Sequence, residues 1–363
     1  MMEEILLRLP VKSLGRFRCV SKELNTSISN PVFTKLHLNH QKSQNKNLLK
    51  IMLNENCDYY KVDFDILDKS EKKYNLEYID ENRLNIVGYC DGFMYLWNPT
   101  TRKYRLLPHV ASRSCYYSCI YSFGIDPSTV EYKVLFLESC MVELELHTKF
   151  HLYTTHTNSW RRMGDIPFFI YTDEYAHVNG NIHYLAKRSF DSRGPKLILS
   201  FNIKDTEFRE VPQPNYSTNG KSKITITLTS LEESLCLFFY YSAAHRRMHK
   251  NWSVDLWMMK DYGVKESWVK LACIYPKSID KSIQDVQPLH LWENGQYLLH
   301  VTSSTRRQHM ALYDSKKNEG KTLHICNVPY MFISRVYEEN LISPKAGTYD
   351  PVEEHENSVK RRK

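Results

Sequence analysis

The first forty residues alternate apolar and polar positions at helical spacing. Ile5, Leu6 and Leu9 fall on one face of a short helix that Pro10 ends or restarts. A second helix fits Lys12 to Cys19, with Leu14, Phe17 and Arg18 spaced three and four apart. Ser21 is placed to cap a third helix carrying Leu24 and Ile28, and Asn30-Pro31 is read as its stop. Phe33, Leu36 and Leu38 follow in a last apolar stretch. Three helices in roughly forty residues are too few for a self-sufficient core. The apolar positions are also too many for one internal seam. Either they face a partner, or the module caps a larger domain of the same chain. A fully buried side chain of this kind contributes about 1.5–3 kcal/mol, so four or five anchors suffice for docking.

Beyond this module the pattern turns to strands and repeats. Each unit has an aromatic-rich strand, a polar turn, a second strand with an aromatic beside a charged residue, and a proline. The leading aromatics Trp97, Tyr153, Phe201, Trp257 and Tyr313 are separated by 56, 48, 56 and 56 residues. Asp91-Gly92, Asn179-Gly180 and Asn294-Gly295 sit between β-prone runs as tight hairpin turns require. Each period holds about four strands, the content of one propeller blade. A blade cannot bury both faces alone, so neighbours must stack. Five units, with Leu48 to Phe64 as a partial sixth, predict an all-β propeller-like ring of five or six blades. Ile333 to Leu341 is a candidate closing strand. The expected organisation is a helical module over 1–40, the propeller-like domain over 41–345 and a charged tail over 346–363. Trp97, Trp160, Trp257 and Trp268 recur with the period and are expected to pack between blades.

Composition sharpens this picture at a few points. The 25 Tyr, 15 Phe and 6 Trp favour strands. Nine cysteines without scaffold spacing read as reduced thiols. No apolar run is long enough to span a bilayer, and the acidic start lacks the basic segment of a secretion signal, so a cytoplasmic or nuclear location is expected. Residues 1–50 carry nine Lys/Arg against three acids, within a chain of net charge +8. An acidic protein partner or nucleic acid would suit that charge.

Two stretches carry a family resemblance. Glu4-Ile5-Leu6-Leu7-Arg8-Leu9-Pro10-Val11-Lys12-Ser13-Leu14, then Arg16-Phe17-Arg18-Cys19-Val20-Ser21-Lys22, Asn30-Pro31-Val32-Phe33 and His37-Leu38, resemble a plant F-box. The resemblance implies docking on a Skp-family adaptor and, through it, a cullin-RING ubiquitin ligase. It makes Ile5, Leu6, Leu9, Pro10, Val11, Leu14, Val20 and Lys22 candidate adaptor contacts or supports for them. The family's usual Leu-Pro and acidic pair ahead of Glu4 are missing, which predicts either weaker docking or a sequence that starts late, and Leu24 stands where Trp is common. Trp97-Asn98-Pro99-Thr100-Thr101-Arg102-Lys103, Phe123-Gly124-Ile125-Asp126-Pro127, Asn158-Ser159-Trp160-Arg161, Leu199-Ser200-Phe201-Asn202 and Tyr337-Glu338-Glu339-Asn340-Leu341 are similar to the kelch-like F-box-associated domain. That group includes the S-locus type, whose target is a secreted ribonuclease. The implied role is substrate recognition for an SCF-type ligase. The alternative is a degenerate F-box protein acting as a protein- or nucleic-acid-binding propeller outside any ligase.

Target-binding candidates lie on the longer connections Val110–Tyr121, Arg188–Pro195, Pro214–Lys223 and Ala243–Trp252. Tyr116, Tyr117, Tyr121, Arg188, Arg193, Arg246 and Arg247 have the chemistry of interface hot spots. The sequence has no phosphate-cradling glycine loop and no Gly-x-Ser-x-Gly elbow. Cys115 and Cys119 lack a second pair at zinc spacing, and His245 and His249 flank a basic stretch that repels cations. His147, His151 and His156 are expected at exposed edges or turns. A non-catalytic receptor without cofactor or metal follows, with no membrane partner and nucleic acid disfavoured.

Overall fold

The computed structural model describes residues 2–43, 49–55, 58–63, 74–75, 77–79, 87–90, 93–98, 100–101, 103–110, 118–126, 128–129, 131–142, 145–188, 196–215, 223–242, 252–292, 294–326 and 329–344. Four helices open the chain rather than three: α1 (Met2–Arg8), α2 (Val11–Phe17), α3 (Lys22–Ser29) and α4 (Pro31–Ser43). Ser21 caps α3 as expected, its hydroxyl accepting from the Leu24 amide at 3.1 Å. Asn30-Pro31 ends α3 as expected, and Pro31 also starts α4. At a first helical position its missing N–H is no loss and its φ is already set. The Asn30 side chain accepts from the Val32 amide at 2.8 Å and caps this fourth helix.

Leu6, Val11, Leu14, Ile28 and Phe33 form the core of the helical module, together with Leu341 from the far end of the chain. Two residues of α4 close the break at Pro10. The His37 ring is 2.8 Å from the Leu9 carbonyl, and Gln41 donates to the Leu7 carbonyl at 3.0 Å. They satisfy carbonyls that the end of α1 leaves without helical partners.

Among the described residues six antiparallel sheets of three or four strands follow, with a short parallel pair (Tyr74–Asn75 with Ile325–Cys326). The expected range of five or six blades resolves to six. Blade 1 joins Leu49–Glu55, Asp58–Asp63 and Glu77–Ile79 to Ile333–Glu338 from the C-terminal side, with Ile51 opposite Val336. The suggested closing strand is therefore present. Blade 2 holds Val87–Cys90, Phe93–Asn98 and Lys103–Leu107. Blade 3 holds Ser118–Ile125, Tyr132–Val142, Glu145–Thr154 and Ser159–Ile166. Blade 4 holds Phe169–Val178, Asn181–Lys187, Lys196–Asn202 and Phe208–Val211. Blade 5 holds Lys223–Leu231, Ser234–Ser242, Ser253–Met259 and Trp268–Ile274, and blade 6 Ile283–Leu291, Gln296–Ser303, Gln308–Asp314 and Glu319–Thr322.

The apolar clusters lie between successive sheets, as stacked blades require. Tyr184 and Phe201 of blade 4 meet Leu135 and Leu137 of blade 3, while Leu237 and Phe239 of blade 5 meet Ile198 and Leu185 of blade 4. Leu53 of blade 1 shares a cluster with Leu298 and Met310 of blade 6.

Turn chemistry divides the three expected hairpins. Asn179 (φ 51°) and Gly180 (φ 71°) make a two-residue turn between the paired Val178 and Asn181. Asn294-Gly295 sits in a wider loop, because the last strand pair is Leu291 with Tyr297. Asp91-Gly92 lies outside the described residues, although Cys90 and Phe93 pair on either side of it. Phe201 and Tyr313, two of the periodic aromatics, lead into turns closed by the next side chain. Asn202 accepts from the amides of Lys204 (3.0 Å) and Asp205 (2.8 Å), and Asp314 from those of Lys316 (3.0 Å) and Lys317 (3.1 Å).

Candidate functional site

A meander of antiparallel strands gives the ring two faces that carry different turns. In a four-stranded blade the first strand begins on one face, and the chain returns there between the second and third strands and after the fourth. The other face carries the first-to-second and third-to-fourth turns. The helices sit on this second face. Leu341 and Ile342, which follow the closing strand, reach the helical module and the cluster of blades 2 and 3, where Leu38 of α4 also packs. The cap reading of the module thus holds on one side, and the other side is open.

That division sorts the predicted adaptor residues. Ile5 is 58% exposed and Val20 70%, and Pro10 and Lys22 are also exposed. Leu9 is half-buried. Leu6, Val11 and Leu14 are interior, Leu14 at 0%, so they support the surface and do not form it. Their burial follows from the fourth helix and from Leu341, neither of which the helical spacing alone supplies. Met2, Phe17, Val32 and Leu36 add exposed apolar surface on the same module. Phe17 and Leu36 had been legible as apolar helix positions; nothing in their spacing marked them as the outward ones.

The propeller candidates divide as well. Tyr116, Tyr117, Arg193, Arg246 and Arg247 lie outside the described residues. Tyr121 is a correction: it belongs to the first strand of blade 3, its ring stacked on Phe136 at 4.4 Å and edge-on to Trp160 at 6.5 Å. Alternation along Ser118–Ile125 turns it into the blade interface, so it is not a loop residue. Arg188 is exposed where the second strand of blade 4 ends; it pairs with Glu210 and lies over the Phe168 ring at 5.2 Å. The strands that flank the four candidate connections end on the face opposite the helices.

His151 is a second correction. It is buried and stacked on Phe136 (5.8 Å), because its strand is internal to blade 3. His156 is exposed in a turn, 3.7 Å from Glu131, and His147 is half-buried. His183 is fixed between the Ala176 carbonyl (3.2 Å) and the Tyr262 hydroxyl (2.7 Å), and burial lowers its pKa to about 4. Asp126 is pushed up by burial, but hydrogen bonds from Lys133 and Ser128 outweigh this and hold it at about 2. His183 and Asp126 serve structure: each is held by neighbours in a blade or turn. Among the described residues no group of three or more His, Cys, Asp or Glu is placed to share a metal ion, and no helix is long and apolar enough to cross a membrane.

Comparison with known proteins matches both regions. The F-box domain model covers residues 1–36, and the F-box associated beta propeller domain model covers 67–343. An F-box/kelch-repeat protein of Arabidopsis thaliana is 27% identical over 95% of this chain and 94% of its own length. The F-box protein CPR1 of the same plant is 27% identical over 93% of this chain and 87% of its own. Among solved structures, a GH43 endo-arabinanase from Bacillus licheniformis aligns at a TM-score of 0.31 and 8% identity, over 74% of this chain and 95% of that one; at that level the likeness carries no argument.

Proposed function

This chain belongs to the F-box-associated β-propeller family, and from that premise we propose that it is the substrate-recognition subunit of an SCF-type ubiquitin ligase. The observation that carries the reading is the open side of the helical module. Met2, Ile5, Phe17, Val20, Val32 and Leu36 leave apolar surface exposed on a unit whose inner side is already satisfied by Leu341. Exposed apolar groups gathered on one small module mark a docking surface. A Skp-family adaptor is the partner, and a cullin-RING assembly is reached through it.

The chain itself supplies no chemistry to the transfer. It holds a target protein at the propeller while the adaptor holds the helices, so a target lysine is presented to the ubiquitin-bearing subunit at high effective concentration. Work in the cytosol or nucleus fits this role. Because the helices and the strand ends that flank the candidate connections lie on opposite faces, target and adaptor do not compete for surface.

Co-purification with a Skp adaptor tests the assignment. Ile5→Asp with Val20→Asp should abolish adaptor capture while the thermal transition stays in place, since both side chains are exposed. Leu14→Asp should instead destroy the module, as a charge at a fully buried site has no partner. Undiminished capture by the Ile5/Val20 variant removes the proposed surface, and failure of the unaltered chain to capture any adaptor removes the ligase role.

A further inference from the structure

The face opposite the helices carries a formed cleft at the seam where the ring closes. It has a volume of about 360 Å³ and brings together the approach to blade 6 (Asp280, Ser282), its middle turn (Ser303, Thr305, Arg307) and its exit (Thr322 to Ile325). These three stretches are distant in sequence. They converge because each lies where a strand of blade 6 begins or ends on this one face.

The cleft is built and not a gap between loose chains. The Ser304 amide donates to the Ser282 carbonyl at 2.7 Å, and Ser303 to the Arg307 carbonyl at 2.9 Å. Ser303 and Thr305 hydroxyls lie 2.8 Å apart. Arg306 holds φ at 65° in this turn, and Arg307 beside it is exposed. One wall is fastened to the segment leading into the closing strand: the Tyr330 hydroxyl donates to the Thr305 carbonyl, and the Gln308 amide to the Tyr330 carbonyl at 3.0 Å.

Its cationic groups outnumber its acids. Arg307 is exposed and lines it with His309 and His324, and the exposed Lys281 and Arg306 are chain neighbours of lining residues. Among the described residues Arg307 pairs with no carboxylate. The lining acid, Asp280, is engaged by the Ser282 amide at 2.6 Å. Beside the cleft Tyr330 (54%), Met331 (51%) and Ile333 (56%) are exposed. Tyr, Met and Arg are the residue types enriched in interface centres. Met310, Leu323 and Ile325 contribute an apolar lining.

We propose that this seam cleft is the recognition site for a target protein, and that it takes an extended acidic segment bearing an apolar side chain. The apolar side chain enters the cleft against Met310 and Leu323 and rests on Tyr330 and Met331. The flanking carboxylates meet Arg307, Arg306 and Lys281. Nucleic acid is the disfavoured occupant, because the cations surround an aliphatic lining and do not alternate with stacking aromatics. The proposal deepens the receptor reading, yet the cleft and the helices lie on opposite faces and fail separately.

The test is fluorescence anisotropy on the full chain with three labelled short peptides and one short single-stranded oligonucleotide. The first peptide has a central Phe-Leu flanked by Glu and Asp. The second has those acids replaced by Lys, and the third has the Phe-Leu replaced by Ser. The first should bind, and both others should bind about tenfold more weakly or not at all. Arg307→Glu and, separately, Tyr330→Ala should each weaken the first peptide about tenfold. Both variants should capture a Skp adaptor as the unaltered chain does, which separates loss of this site from loss of the fold or of the ligase role. Absence of binding by the first peptide, equal binding of the lysine peptide, preference for the oligonucleotide, or insensitivity to Arg307→Glu would each overturn the proposal.

Discussion

The side-chain amide of Asn98 donates to the Ile342 carbonyl at 2.8 Å, joining residues 244 positions apart. The same nitrogen lies 3.1 Å from the Asn340 carbonyl, while its oxygen accepts from the amides of Thr100 (2.8 Å) and Thr101 (3.2 Å). One buried side chain therefore closes the turn of blade 2 and clamps the segment that carries Leu341 into the helical module.

Asn98→Ala should loosen that clamp without dissolving the ring. Loss of several hydrogen bonds at a buried site costs about 1–3 kcal/mol. Amide hydrogen exchange in α1 to α4 should accelerate well before exchange in blades 4 and 5. Uniform acceleration across the chain would show that Asn98 serves the whole ring instead.

A second clamp recurs at the blade perimeter. The Trp268 indole N–H donates to the Pro212 carbonyl at 2.9 Å, and Trp160 to the Pro108 carbonyl at 2.7 Å. Sheet twist brings the end of one outer strand to the start of the next outer strand. Trp268→Phe keeps most of the buried area but leaves that carbonyl unpaired, which should cost about 1–2 kcal/mol. Urea unfolding should show a lower midpoint with an unchanged slope. An unchanged midpoint would mean water replaces the indole at no cost.

Gly124 explains one of the family-like motifs. A Cβ there would collide with Ile203 of blade 4 and come within 3.0 Å of the His177 ring. Gly124→Val should destabilise by about 1–3 kcal/mol through overpacking, measured as a lowered thermal midpoint. Adding Ile203→Ala should recover part of the loss; no recovery would place the strain elsewhere.

Acid should weaken the propeller before it touches most carboxylates. Burial holds His183, His290 and His300 at about 4, well below the unfolded value of 6.5. The unfolded chain then binds more protons between those values, so stability is full above pH 6.5 and declines as pH falls to 4. Each histidine contributes a slope of about 1.4 kcal/mol per pH unit in the middle of that range. His300 also bonds Ser334 of the closing strand at 2.8 Å. His300→Gln should flatten the urea-midpoint profile between pH 4 and 6.5. A profile unchanged in that window would exclude His300 as a contributor.

The sequence alone determined the division into a helical module and a strand repeat, because periods of three to four and of two residues reflect local backbone geometry. It also determined the blade repeat, because Trp97, Tyr153, Phe201, Trp257 and Tyr313 recur at a near-constant spacing set by the length of one blade. Only the tertiary structure decided which apolar residues face outward: Leu14 and Val20 read alike along the chain, and Leu341, more than three hundred residues away, covers one side of their module. The seam cleft was hidden for the same reason, since residues 280, 307 and 324 become neighbours only when blade 6 pairs its strands, and Tyr330 joins them on the segment that leads to the closing strand.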